Sequence, residues 1–127
     1  MYPSDLKYDK EHEWVRVEGD VAVIGISHFA QHQLGEVVYV DLPSEGDTVS
    51  AGEAFGEIES VKSVSELYTP ADGEVIKVNS ALTDAPETVN EDPYGEGWMI
   101  EVKLADPSQL DGLLSAEEYE ALVSEEA

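Results

Sequence analysis

Short apolar segments between strong turn signals are the sequence feature that most limits how this chain can fold. Residues 14–18 and 21–27 are rich in apolar and β-branched side chains, and Gly19-Asp20 separates them. Such residues favour strands, and a glycine–aspartate pair between two of these segments favours a hairpin turn. Further strands are predicted at 36–42, 54–59, 64–68, 74–79 and 98–104. Many short strands with turns between them predict a small β-sandwich or barrel.

Helix signals are few, and they lie beside the strand pattern or after it. Ser27 is placed to cap a short helix over residues 28–34, which Gly35 would end. Residues 107–126 follow an Asp-Pro start and contain a Ser-x-x-Glu capping box at 115–118. We therefore predict a short helix inside the β region and helices at the C-terminus.

The length of the chain and its organisation predict one domain. A chain of 127 residues fits a single-domain prior, so we assign residues 1–127 to one unit with a core over about 6–105. The segment 107–126 is expected to lie at the periphery of that core. Residues 83–97 carry prolines and glycines and are predicted as a long loop, which at this length is usually functional or tightly held.

The net charge argues against one class of partner and leaves two explanations open. Twenty-nine acidic residues face six basic ones, which gives a formal net charge of −23. This charge repels phosphate backbones and argues against nucleic-acid binding. The acids could attract basic enzymes, or they could adapt the protein to a salt-rich cytoplasm whose counterions screen their repulsion. Because the acids are spread over nearly every segment, we favour the second explanation.

The composition also predicts a cytoplasmic protein without thiols of its own. No apolar run approaches the length of a membrane span, and residues 1–10 lack the apolar centre of a signal peptide. The chain has no cysteine, so any thiol chemistry must come from a cofactor. We expect a monomer that does not bind membranes.

Lys62 is the candidate functional residue that the sequence singles out. It lies in the segment 59–63 between two predicted strands, and it is the only lysine or arginine between Arg16 and Lys77. A lysine at a hairpin tip is held away from the sheet, where another enzyme can reach its amine. A lysine in a turn is also often just a solvated side chain, so the flanking residues must decide between the two interpretations.

The flanking residues resemble the signature shared by lipoyl and biotinyl carrier domains. Glycines, acids, a proline and valines recur at matching places on both sides: Gly46-Asp47, Val49, Gly52, Glu57-Ile58-Glu59, Pro70, Gly73 and Val75. Biotinyl members have methionines beside the lysine, whereas this chain has Val61 and Ser63, which favours lipoate. The resemblance implies a flattened barrel-sandwich hybrid of two small antiparallel sheets. It also implies lipoate in amide linkage on Lys62 at a protruding hairpin, with Glu59 recognised by the lipoyl ligase or transferase.

The rest of the chain resembles the glycine cleavage H-protein family from about Leu6 to the C-terminal helix. Lipoyl domains of 2-oxoacid dehydrogenases resemble only the middle portion. The motifs that carry the longer resemblance are Lys7-Tyr8, His12-Glu13-Trp14, Gly25-Ile26, Ala30-Gln31, Leu34-Gly35-Glu36, Leu82, Pro86, Asn90, Pro93-Tyr94 and Gly97-Trp98-Met99.

This resemblance implies a carrier and not an enzyme. In the family, a pyridoxal-phosphate glycine decarboxylase passes an aminomethyl group from glycine to the lipoyl group. A folate-dependent aminomethyltransferase then takes it up and releases ammonia, and dihydrolipoyl dehydrogenase reoxidises the dithiol. The cofactor carries the chemistry, and the protein supplies position and shelter. A lipoate relay or acyl carrier that uses the same lysine, and an unmodified interaction domain, remain as alternatives.

The resemblance further implies a sheltered cleft for the loaded arm. An aminomethyl thioether hydrolyses in water, and a carboxylate in a water-excluding cleft would hold its ammonium. Glu13 stands at the family's position for this role, and Glu66 is a weaker candidate because it is near Lys62 in sequence. The family often has histidine where this chain has Gln33. His32 lies one place earlier, and one place turns a helical side chain by about 100°, which puts a histidine contribution in question.

A metal site is the remaining motif that the sequence suggests. His28 and His32 are spaced i, i+4, a spacing that can bind a metal on a helix. No third ligand is evident from the sequence, and structural metals take four. We therefore expect exposed polar side chains there and no metal.

Overall fold

Two antiparallel β-sheets form most of the protein in a computed structural model that describes residues 2–126. The larger sheet has six strands in the order β1-β2-β3-β9-β8-β5, and the smaller has three in the order β4-β6-β7. The strands are β1 (Lys7–Tyr8), β2 (Glu13–Glu18), β3 (Val21–Ile26), β4 (Val37–Asp41), β5 (Thr48–Val49), β6 (Ala54–Ser60), β7 (Val64–Tyr68), β8 (Gly73–Val78) and β9 (Ile100–Leu104). The predicted mainly β fold with two small antiparallel sheets is confirmed, and the sheets form an open sandwich instead of a closed barrel.

Short helices accompany the sheets in the described part of the chain. The α-helices are α1 (His28–Leu34), α2 (Ala81–Asp84), α3 (Thr88–Glu91) and α4 (Ala116–Glu126), and a 3-10 helix covers Pro107–Gly112. Within residues 2–126, none of these helices has the length and apolar character needed to cross a membrane.

The first hairpin shows how local sequence builds the larger sheet. β2 and β3 pair with Trp14 opposite Gly25, and Gly19 in the turn has a φ of 67°, which glycine adopts without steric cost. A Cβ at Gly25 would lie 2.7 Å from the Trp14 ring, so glycine lets the buried indole cover the neighbouring strand. The indole Nε1 donates to Pro93 O over 2.8 Å. The predicted hairpin is confirmed.

Two apolar clusters hold these elements together. The main cluster draws buried side chains from both sheets, among them Val15, Ile24, Val40, Ile58, Leu67, Val75, Ile100 and Val102. The second cluster packs α4 against the larger sheet through Leu6, Tyr8, Trp14, Val23, Tyr119 and Val123. Burying one such aliphatic side chain contributes about 1.5–3 kcal/mol, so the C-terminal helix is a firmly attached part of the fold.

The predicted helix signals are confirmed in atomic detail. Ser27 Oγ accepts a hydrogen bond from Ala30 N over 3.2 Å at the start of α1, and Gly35 follows the helix with a φ of 81°. At α4, Glu118 N donates to Ser115 Oγ over 3.1 Å, and Ser115 N donates to Glu118 Oε1 over 2.9 Å. These reciprocal bonds are the capping box that the sequence predicted.

The predicted long loop over residues 83–97 is partly wrong, because it overlaps α2 and contains α3. Helices of one turn gain little from intrinsic propensity, so the sequence carries no clear signal for them. Asn90 fixes the segment instead. Its Nδ2 donates to Gly35 O over 2.8 Å and to Gln31 Oε1 over 3.0 Å, and its Oδ1 accepts from Val37 N over 2.9 Å.

One strand boundary differs from the prediction, and the predicted C-terminal helical segment begins with a 3-10 helix. The last strand begins at Ile100 and not at Trp98, since Trp98 O accepts from the Asn79 side chain over 2.7 Å instead of joining the ladder. The segment after Asp106 is a 3-10 helix, in which Gln109 N donates to Asp106 O and Leu113 N donates to Leu110 O.

Candidate functional site

Lys62 lies at the tip of the hairpin that joins β6 to β7, and its side chain is exposed. Ser60 N donates to Ser63 O over 2.8 Å and closes the turn. Ser60 Oγ accepts from both Lys62 N and Ser63 N over 3.1 Å. Val61 N donates to Glu36 O over 3.0 Å. The tip is therefore a fixed turn, tied to the start of β4, that presents the lysine to solvent.

Gly35 leaves room for the lysine side chain. A Cβ at this position would lie 2.9 Å from Lys62 Cε, and the φ of 81° also favours glycine. One residue thus ends α1 and lets the lysine stem pass over that end of the helix. The sequence predicted only the first of these two roles.

A cleft of about 550 Å³ opens between α1, the edge strand β7 and the start of β2. Its lining includes Ser63, which follows Lys62 in the chain, and Glu13 at the start of β2. Apolar side chains of Ile26, Phe29, Leu34, Ile58 and Leu67 line it as well. The cleft can receive a flexible chain carried by Lys62, with apolar side chains in part of its lining and the Glu13 carboxyl group inside.

Glu13 is the most unusual group of this cleft. Its side chain is only 2% exposed, its Oε2 accepts from Tyr68 N over a long 3.5 Å, and its Oε1 has no hydrogen-bond partner within residues 2–126. Burial, helped by the negative charge of Asp9, raises the pKa of Glu13 to about 10. The raised pKa disfavours the ionised carboxylate, and a cation placed beside it would favour that form.

The structure places some of the other predicted cleft residues in the lining and one outside it. Glu66 and Gln33 line the cleft together with Glu13, whereas His32 is exposed and is not part of the lining. The histidine that does line it is His12, which the sequence analysis named only within the motif His12-Glu13-Trp14 and gave no role in the cleft. Its position beside Glu13 and just before a strand argued against such a role, because neighbouring side chains on a strand ordinarily point to opposite faces.

His12 reaches the cleft because its backbone departs from a regular strand. Its φ is 78°, an uncommon value for a residue other than glycine. Its Nδ1 lies 2.8 Å from Tyr119 Oη, and its Nε2 lies 3.4 Å from Glu126 Oε1. Tyr119 Oη also lies 2.7 Å from Ser27 Oγ, so the buried hydroxyl of α4 joins the His12 segment to the cap of α1.

Glu59 lies outside the cleft. It is half-buried on β6, with Tyr39 of β4 and Val64 of β7 as its partners in the strand register. Of the predicted site residues, Glu13 and Glu66 therefore contribute to the cleft lining, and Glu59 does not.

The two helical histidines lie side by side on α1. The rings of His28 and His32 stack with centroids 6.1 Å apart. Within residues 2–126, no cluster of three or more histidine, aspartate or glutamate residues is arranged to hold a metal ion.

Known proteins of one family match this chain over nearly its whole length. The family described as Glycine cleavage H-protein matches residues 6–126. A Glycine cleavage system H protein of Carboxydothermus hydrogenoformans is 52% identical over 99% of this chain and 97% of its own, and one of Bacteroides fragilis is 55% identical over 97% and 98%. A crystal structure of a glycine cleavage system H protein from Mycobacterium marinum superposes with a TM-score of 0.86 at 42% identity, covering 94% of this chain and 96% of that one. The chain belongs to the glycine cleavage H-protein family.

Proposed function

We propose that this protein is the lipoyl-bearing carrier of the glycine cleavage system. The observation that carries the proposal is an exposed hairpin lysine, Lys62, beside a cleft that contains a buried carboxyl group without a full set of partners. Family membership supports the pathway. The protein is a carrier component and catalyses no reaction alone.

The residues present fit a lipoyl group in amide linkage on Lys62. The lysine amine is accessible, Gly35 leaves room for its stem, and the cleft begins at its neighbour Ser63. The bound group supplies a disulfide that accepts the aminomethyl group of glycine. The apolar wall of the cleft shelters the arm, and the buried Oε1 of Glu13 is an acceptor that an ammonium can satisfy.

Within this function, Glu13 holds the positive end of the aminomethyl cargo. An ammonium beside the carboxyl group stabilises its ionised form and releases the carboxyl proton to solvent. Glu66 adds negative charge to the lining of the same cleft. Outside the cleft, Glu59 lies where an enzyme that modifies Lys62 would contact it.

The partners in this function act in a fixed order. The glycine decarboxylase loads the arm, the aminomethyltransferase unloads it, and dihydrolipoyl dehydrogenase restores the disulfide. A lipoyl ligase or transferase must modify Lys62 first. We place this cycle in the cytoplasm. A lipoate relay through the same lysine has no observation of its own in this structure.

The test is the mass and the activity of the native protein. Peptide mapping should find a single lipoyl amide on Lys62, and Lys62→Arg should abolish glycine–bicarbonate exchange with the decarboxylase, because arginine cannot form that amide at the hairpin tip. Lys77→Arg and Lys103→Arg are matched controls on the larger sheet and should retain exchange. A lipoyl group on either control lysine, or an active Lys62→Arg protein, would overturn the proposal.

A further inference from the structure

Within residues 2–126, large apolar side chains are exposed at two isolated positions and in one cluster. Val17 and Ile76, about 40% exposed, lie apart on β2 and β8. The others lie on β4 and on the hairpin that carries Lys62, and we call them the tip patch: Val38 (45%), Tyr39 (48%), Val61 (65%) and Val64 (58%). An apolar cluster on an acidic surface is a feature of interaction sites.

A β-bulge produces half of the tip patch. In β4, Val37 opposes Ser60 and Tyr39 opposes Glu59, so Val38 is an extra residue in the ladder. Val37 and Val40 are buried, and both residues between them are exposed. Regular alternation would have turned one of the two inward. Bulges re-aim side chains near functional sites, and this one presents two adjacent apolar side chains.

The strand register joins the two halves of the tip patch. Tyr39, Glu59 and Val64 occupy one row across β4, β6 and β7. Glu59 therefore lies between two exposed apolar side chains. The bond from Val61 N to Glu36 O ties the hairpin tip to the start of β4, so the patch and the root of Lys62 belong to one rigid surface.

The tip patch is separate from the cleft. None of its four residues belongs to the cleft lining, so an arm folded into the cleft leaves the patch uncovered. Several acidic and mostly exposed residues lie near the patch, one of which, Glu66, also lines the cleft: Glu36, Asp41, Glu57, Glu59 and Glu66. The complementary partner has an apolar centre with arginine or lysine side chains around it.

We propose that the tip patch is the docking surface of the enzyme that attaches the lipoyl group to Lys62. The inference rests on the proposed function. The lysine amine is only four methylene groups from the backbone, so an enzyme that acylates it must approach the residues on either side. Enzymes that act on the far end of the lipoyl arm work at a greater distance from this surface. In the acylation, a bond forms between Nζ and the lipoyl carbonyl carbon, the bond from that carbon to its leaving group breaks, and Nζ loses a proton.

The test measures the rate at which a lipoate–protein ligase, supplied with lipoate and ATP, modifies the full-length unlipoylated protein. Threonine has a high β-propensity, as tyrosine and valine do, so Tyr39→Thr and Val64→Thr should preserve the strands while they remove apolar contact. Each should lower kcat/KM about tenfold, mainly through KM. Val17→Thr and Ile76→Thr are matched controls with similar exposure and should stay within about twofold. Thermal melts establish that all four variants are folded.

The outcomes separate this inference from the proposed function. A wild-type protein that accepts no lipoyl group on Lys62 contradicts the proposed function itself. If wild type is modified and the tip-patch variants are modified equally fast, or if the controls slow as much, the docking inference is wrong and the carrier function stands.

Once fully lipoylated, Tyr39→Thr should accept the aminomethyl group from the decarboxylase at the wild-type rate. Slowing in that step comparable to the slowing in acylation would also overturn the assignment to the acylating enzyme.

Discussion

Glu13 is the residue whose environment departs most from its ordinary chemistry, and Glu13→Gln removes its ability to ionise beside a cation while keeping its shape. We expect the variant to fold and to accept lipoate on Lys62 normally, because the ligase contacts the hairpin and not the cleft. The loaded arm should lose its cargo as formaldehyde about ten- to a hundredfold faster, since a charge-assisted hydrogen bond contributes about 1.5–3 kcal/mol. Formaldehyde release from the loaded protein measures this, and decay at the wild-type rate would contradict the role of Glu13.

Glu13→Gln should also change how the stability of the unloaded protein depends on pH. The pKa of Glu13 is about 10 in the folded protein and about 4.5 in the unfolded chain, so the folded state binds more protons between these values. Stability is therefore full below about pH 4.5 and decreases as pH rises toward 10, by at most about 1.4 kcal/mol per pH unit from this group. Glu13→Gln should lose less stability than wild type between pH 6 and 9 in urea titrations. Parallel curves would show that Glu13 titrates normally.

At the scale of elements, the buried hydroxyl group of Tyr119 connects α4 to two residues beside the cleft. Tyr119 Oη contacts His12 Nδ1 and Ser27 Oγ, and Tyr119→Phe would leave both partners without it. An unsatisfied buried polar group costs about 1–3 kcal/mol, so we expect a loss of about 2 kcal/mol in the free energy of unfolding, measured with urea. The matched control is Tyr94→Phe, whose hydroxyl accepts one bond, from His28 N. A loss no greater than that of the control would contradict a joining role for Tyr119.

For the whole molecule, the dominant physical fact is a net charge of −23. Like charges repel across the surface, and added salt screens them, so the melting temperature should rise with potassium chloride. Simple screening acts mostly as the Debye length shortens from about 30 Å at 0.01 M to about 10 Å at 0.1 M. A rise that continues into molar salt favours adaptation to a salt-rich cytoplasm. A melting temperature independent of salt would contradict the prediction.

Features that depend on neighbours in the chain could be predicted from the sequence. The hairpin at Gly19, the limits of α1, the capping box of α4 and the position of Lys62 between two strands all follow from local turn and cap chemistry. The family resemblance made Glu13 a candidate for the cleft, nearness to Lys62 in sequence made Glu66 a weaker one, and both line the cleft. Their proposed roles there remain predictions.

Features that depend on contacts between distant parts of the chain could not be predicted from local sequence. The single turns α2 and α3 exist because Asn90 ties their segment to α1 and β4. His12 enters the cleft through a left-handed backbone conformation and a bond from α4, more than a hundred residues away. The tip patch depends on a bulge and a strand register that alternation does not encode. A sequence pattern reports which residues are apolar or polar, whereas the packing of separate elements sets which groups lose water and which partners they meet.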